Sequence, residues 1–168
     1  MLLSVASALL PALLALNSAW WPAAHADFPR LRATDARLAR LVKESLNRSG
    51  TFADMARALE NSDVILHVVP SEELRCGVLA RLLFVGDTGK VRYLRAEILM
   101  RRANPDLIGT IAHELQHALE VAARPDVRDE QGLRRLYEEI GQSRRLDTFD
   151  TRVAQQLGWQ VRSEVLAD

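Results

Sequence analysis

The run His113-Glu114-Leu115-Gln116-His117 holds the side chains best suited to chemistry. Residues four apart lie on one face of a helix, so both imidazoles can reach one metal ion. Glu114 adjoins the first histidine and points slightly aside, where it can take a proton from a metal-bound water instead of binding the metal. Zinc suits such a pair, because imidazole is a good ligand and the ion lowers the pKa of bound water towards about 7.

Placed at roughly 100° per residue, Ile108, Ile111, Ala112, Leu115, Leu119 and Ala122 form one apolar stripe. His113, His117 and Thr110 fall on the opposite side. The helix is therefore expected to bury one face against a sheet and offer the other to a ligand, with the small Gly109 and Ala118 leaving room for an approaching group. The segment Thr110-Ile111-Ala112-His113-Glu114-Leu115-Gln116-His117-Ala118-Leu119 resembles the extended signature of zincin metallopeptidases, whose flanking positions are uncharged and whose last position is hydrophobic. The resemblance covers this helix of about ten residues, together with the order of a sheet before it and helices after it. It implies bound zinc, a glutamate base, and a peptide substrate along an edge strand. The longer metzincin pattern is absent, since no Gly or third His follows His117 at the required spacing.

Catalytic zinc rarely rests on two histidines alone. No histidine follows His117, so a downstream carboxylate is needed, as in gluzincins. Asp150 is preferred: it falls within the inward arc of a last helix that packs through Phe149, Val153, Leu157 and Val161, and a buried carboxylate must be paired, hydrogen-bonded or bound to metal. Asp150-Thr151-Arg152-Val153-Ala154 also resembles the acidic-then-alanine helix of some gluzincins, where glutamate is usual. Asp150 can equally cap a helix or pair with an arginine. Glu138 and Glu139 are the alternatives, at a family-like distance but off the packing stripe of Leu133, Leu136, Tyr137 and Ile140. Glu164 is a candidate partner for an imidazole, Tyr137 or an arginine a candidate oxyanion donor, and His67 a strand histidine of the core or a sheet face.

The elements that must position these residues follow from capping and periodicity. Thr34 is the expected N-cap of a first helix ending at Ser49-Gly50, and Thr51 with Asp54 resembles a capping box opening a second, to about Asn61. Val64–Val69 reads as a buried strand. Val78–Val85 and Val91–Leu99 bracket Gly86-Asp87-Thr88-Gly89-Lys90 as a β-hairpin whose first strand, nearly all apolar, is expected inside the sheet. Asn104-Pro105-Asp106 starts the histidine helix, which runs to about Ala123. Further helices are expected over Asp129–Ile140 and from about Thr148 to Leu166. The fold class is α+β: a small sheet of strand plus hairpin against the histidine helix, with mainly helical N- and C-terminal parts.

The chain has 168 residues, 48% apolar and 26% charged, within the range of one ordinary globular domain. Lys plus Arg equals Asp plus Glu at 22 each, which argues against a nucleic-acid partner. Residues 1–26 contain no charged side chain and end in Ala24-His25-Ala26, the small-x-small pattern of a signal-peptidase site. We therefore expect a signal peptide over 1–26, a single zincin-like domain over 27–168, and a periplasmic or secreted protein. Membrane contact is expected only through an uncleaved N-terminal segment. Cys76, the one cysteine, allows no internal disulfide and reads as a packed small residue. The functional expectation is a zinc-dependent peptidase acting on a peptide or protein. The alternative is a non-catalytic exported domain that binds a partner and keeps the helix for structure.

Overall fold

In the computed structural model, residues 24–25, 28–75, 77–144 and 148–167 are described. Cys76 and most of the expected signal peptide lie outside them. No helix among the described residues is long and apolar enough to cross a membrane.

The chain enters with β1 (Ala24–His25) and β2 (Phe28–Ala33), in which Leu31 and Ala33 face inward between half-buried arginines. The sequence reading passed over β2. Its stabilising partner is β3 (Val64–Ser71), reached only after two helices, so nothing local marks it. The two strands pair in parallel, Leu31 opposite Leu66. Asp35, not Thr34, caps α1 (Ala36–Arg48), its carboxylate accepting from the amides of Arg37 and Leu38. Ser49 ends α1 and caps α2 (Gly50–Glu60) through the Phe52 amide. The expected Thr51/Asp54 box does not form: Asp54 pairs with Arg57, and Thr51 bonds to Glu164.

β4 (Ala80–Asp87) and β5 (Arg92–Leu99) form the expected hairpin, with Gly89 at φ +84° in its turn, where the lack of a Cβ removes the steric penalty. The sheet order is β1-β2-β3-β5-β4. β5 is thus the inner strand and β4 the edge, the reverse of the expectation from its apolar run. Leu82 and Phe84 turn towards the core while Val85 is exposed, so the run serves two faces of an edge strand. The parallel β3–β5 pairing, Val64 opposite Arg92, decides the order.

Across the sheet lies α3 (Asn104–Ala122), the histidine helix. Its predicted stripe is realised: Ile108, Ile111, Ala112 and Leu115 are fully buried, and Leu119 and Ala122 pack beside them. Ala103 holds the cap position without a side-chain bond, and Asn104 instead accepts from the Arg37 guanidinium. The far end of α3 is fixed by Arg92. This nearly inaccessible guanidinium donates to the carbonyls of Val121, Ala122, Arg124 and Val127 and pairs with Asp63 at 2.5 Å. A cation at the negative end of a helix also meets its dipole favourably.

Asp129 caps α4 (Glu130–Ile140). A two-stranded turn follows, β6 (Gln142–Arg144) with β7 (Thr148–Asp150), and only then α5 (Arg152–Ala167). The last helix therefore begins four residues later than expected, and Asp150 ends a strand. α5 crosses α3 where Gly109 meets Gly158. A Cβ built on Gly158 would stand 2.8 Å from the Gly109 carbonyl oxygen, and one on Gly109 3.0 Å from that of Gly158. The room expected at Gly109 is filled by the α5 backbone, and Ala118 lies in the core. Among the described residues the architecture is α+β, five helices with a small mixed sheet and a two-stranded one.

Candidate metal centre

One helical turn on α3 sets His113 and His117 side by side, their Nε2 atoms 3.1 Å apart and their rings edge to face. Asp150 arrives from the end of β7. Its Oδ1 lies 3.2 Å from His113 Nε2 and 3.7 Å from His117 Nε2. The three donor atoms lie within 4.8 Å of one another and can hold a metal ion. Asp150 is thus brought to the histidines as anticipated, but from the end of β7 and not from a helix.

Two of the three donors, His117 and Asp150, are held from behind. His117 Nδ1 lies 2.7 Å from Glu120 Oε2. With the proton on Nδ1, donated to that carboxylate, the Nε2 lone pair faces the cluster. Glu120 also accepts from the Thr151 hydroxyl at 2.6 Å, and the same hydroxyl accepts from the Ala154 amide in the first turn of α5. Asp150 Oδ2 accepts from Gln155 at 3.0 Å. The start of α5 thus fixes both carboxylates. Glu164, the expected candidate partner for an imidazole, does not take the place behind His117. That residue instead bonds to Ser49, Thr51 and Gln160 around the start of α2. Glu120 had a legible signal, since it follows His117 by three residues on the same helix. Thr151 and Gln155 had none without the β7–α5 boundary.

Glu114 is 4% exposed, and its Oε2 meets no hydrogen-bond donor among the described residues. Burial raises its proton affinity, opposed by both imidazoles and reinforced by Asp150 and Glu120. For His117, burial favours the neutral ring, but the bond to Glu120 and the charges of Glu114, Glu120 and Asp150 outweigh it and raise the pKa. Burial would also raise Glu120, yet its bonds from His117 and Thr151 hold it below the usual carboxylate range. Three carboxylates thus converge on two imidazoles in a largely dry space. A cation there offsets repulsion that burial strengthens.

The alternatives stand elsewhere. Glu138 pairs with Arg134 along α4, and Glu139 with Arg124, both on the exposed side. The Tyr137 hydroxyl donates to the His117 carbonyl at 3.2 Å, and its ring meets the His117 ring edge to face, so it buttresses α3. His67 is half-buried beside Tyr93 on the sheet.

His113, Glu114, His117 and Asp150 open onto a groove of about 1610 Å³. One wall is the edge of β4 with the loop before it, from Glu73 to Leu82, and the other is α4 and α5. The Phe84 amide is met by Glu130 of α4, which closes the β4 edge at that end. In comparisons with known protein families, curated proteins and solved structures, nothing matches this chain.

Proposed function

We propose that this chain is an exported zinc-dependent hydrolase, a metallopeptidase of zincin type with a gluzincin-like carboxylate ligand, acting on peptide or protein substrates. The observation that carries the reading is the donor set: two imidazole nitrogens and one carboxylate oxygen converging beside a buried glutamate. Zinc with bonds of about 2.0–2.1 Å in a tetrahedron sets its donors roughly 3.3 Å apart. The separations of 3.1, 3.2 and 3.7 Å fit that spacing. Two nitrogens with one oxygen is also a ligand chemistry of catalytic zinc, which keeps a fourth position open. Export is supported by the charge-free stretch 1–26 and its Ala24-His25-Ala26 ending.

Held by His113, His117 and Asp150, zinc supplies Lewis acidity, lowering the pKa of water and polarising a carbonyl. Glu114 projects from the same turn of α3, with Oε2 meeting no donor among the described residues, and is placed to take a proton as water attacks the peptide carbon. As the C–N bond breaks, Glu114 returns that proton to the leaving amine. Glu120 holds the His117 ring in one tautomer, and Gln155 orients Asp150. The open stretch of β4 beside the cluster offers backbone groups to an extended peptide.

Metal analysis of the purified protein tests the reading. Near-stoichiometric zinc is expected, lost in His113→Ala/His117→Ala. Glu114→Gln is expected to keep zinc and the thermal transition while hydrolysis of a mixed peptide pool disappears. No zinc after reconstitution, or unchanged hydrolysis in Glu114→Gln, overturns it.

A further inference from the structure

Trp159 is 70% exposed, the most exposed of the large apolar side chains among the described residues. Tryptophan rarely leaves so much surface in water, and it lines the groove. Its place is set by the α3–α5 crossing. A Cβ built on Gly158 would lie 3.3 Å from His113 Cβ, so the next residue along α5 stands at the lip of the metal cluster. Further along, Arg162 Nε donates to Asp106 at 2.8 Å. Gly158 meets Gly109 while Arg162 meets Asp106, so the helices run antiparallel and Arg162 lies towards the start of α3. Asp106 precedes His113 by two turns, roughly 10 Å of helix axis. An extended peptide covers that in about three residues. Exposed Arg102 lines the same end.

Resting on the metallopeptidase reading, we propose that the α5 wall selects the substrate. Trp159 stacks on an apolar or aromatic side chain next to the cleaved bond. Arg162, steadied by Asp106 and joined by Arg102, binds a carboxylate about three residues away. Guanidinium offers five donors in a planar fork, and the bond to Asp106 through Nε leaves the outer edge to meet a carboxylate. The preferred substrate is thus a peptide with an apolar residue and an acidic group at that spacing. The acid is an Asp or Glu side chain, or the peptide's own C-terminus.

Trp20, Trp21 and Trp159 are the three tryptophans, so Trp20→Phe/Trp21→Phe in the full chain leaves Trp159 emission as a direct reporter. Zinc-loaded protein with Glu114→Gln added is titrated with Ala/Gly peptides carrying one Phe. An Asp or Asn is placed three residues to either side, each peptide with a free or amidated C-terminus. The Asp peptide in one direction is expected to shift Trp159 emission to the blue and bind about tenfold more tightly than its Asn twin, the size of one charge-assisted hydrogen bond. Should the gain follow the free C-terminus instead, the terminal carboxylate is the group recognised. Arg162→Gln is expected to shrink the Asp/Asn difference, and Arg162→Gln with Arg102→Gln to erase it. Calorimetry is expected to show affinity lost in Trp159→Ala and kept in Trp159→Phe. Equal affinities for all peptides, or Trp159 emission indifferent to them, overturns the inference. This binding needs no turnover, so a failure of hydrolysis with binding intact counts against the peptidase reading alone.

Discussion

Glu120 braces the cluster from behind, away from the three donor atoms that could hold an ion. Its carboxylate joins His117 Nδ1 to the Thr151 hydroxyl, linking a ligand on α3 to the start of α5. Outer partners of this kind orient the ring and raise its basicity, and their removal typically weakens metal binding about 10–100-fold. Glu120→Ala is expected to lower zinc affinity by that factor, measured by competition with a chromophoric chelator, with the far-ultraviolet dichroism unchanged. Unaltered affinity would make the bond a packing detail. At this scale the sequence was most informative. The spacing of His113 and His117 already implied two imidazoles on one side, because helical geometry alone puts them there. Asp150 was legible as a carboxylate among apolar positions, but its route was not: the β6–β7 turn depends on pairing that no local pattern announces.

Between elements, the decisive contact is backbone on backbone. Gly109 and Gly158 let α3 and α5 approach until no methyl group fits, and that approach brings Thr151, Gln155 and Asp150 to the histidines. A Cβ at 158 would press on a carbonyl oxygen, and backbone gives way only by moving the helices apart. Gly158→Ala is expected to cost about 1–3 kcal/mol, the usual range for overpacking, and to weaken zinc binding as well. Gly50, at the start of α2, has nothing within 4 Å of where its Cβ would stand. Gly50→Ala is expected to leave stability unchanged or raise it by up to about 1 kcal/mol, because alanine restricts the unfolded chain. Thermal melts of the two variants separate close approach from a general intolerance of change. The same contrast explains what the sequence hid. Helices α3 and α4 declared themselves through caps and periodicity, which are local. β2, and the edge position of β4, depend on partners far along the chain, and Gly109 could be read as open space until its neighbour was known.

Across the whole molecule, two carboxylates far from the metal cluster tie distant segments together. Asp63 accepts from Arg92, whose other donors hold the end of α3, and this bond keeps its carboxyl below the usual range near 3.8. Glu164 joins α5 to the start of α2. Burial would raise it, but bonds from Ser49, Thr51 and Gln160 outweigh that and lower it from about 4.5. A carboxylate that binds its proton less readily in the folded chain than in the unfolded one stabilises the fold fully above the unfolded pKa. That contribution is lost as pH falls through the folded value. Both should therefore act in full above about pH 5.5 and fade below about pH 4. Asp63→Asn and Glu164→Gln are expected to melt below the wild type at pH 7, with the gap narrowing at pH 3.5. Acid release of a metal held as proposed would lower all three proteins together, so the difference between variant and wild type isolates these two links. A gap that stays constant with pH would mean the bonds stabilise through packing, without preferring the ionised form. Arg92 provides the matching test: Arg92→Met should cost about 3–5 kcal/mol at pH 7 by stranding Asp63 and the carbonyls at the end of α3. Part of that cost, the part belonging to Asp63, should shrink at pH 3.5, and the part belonging to the carbonyls should remain.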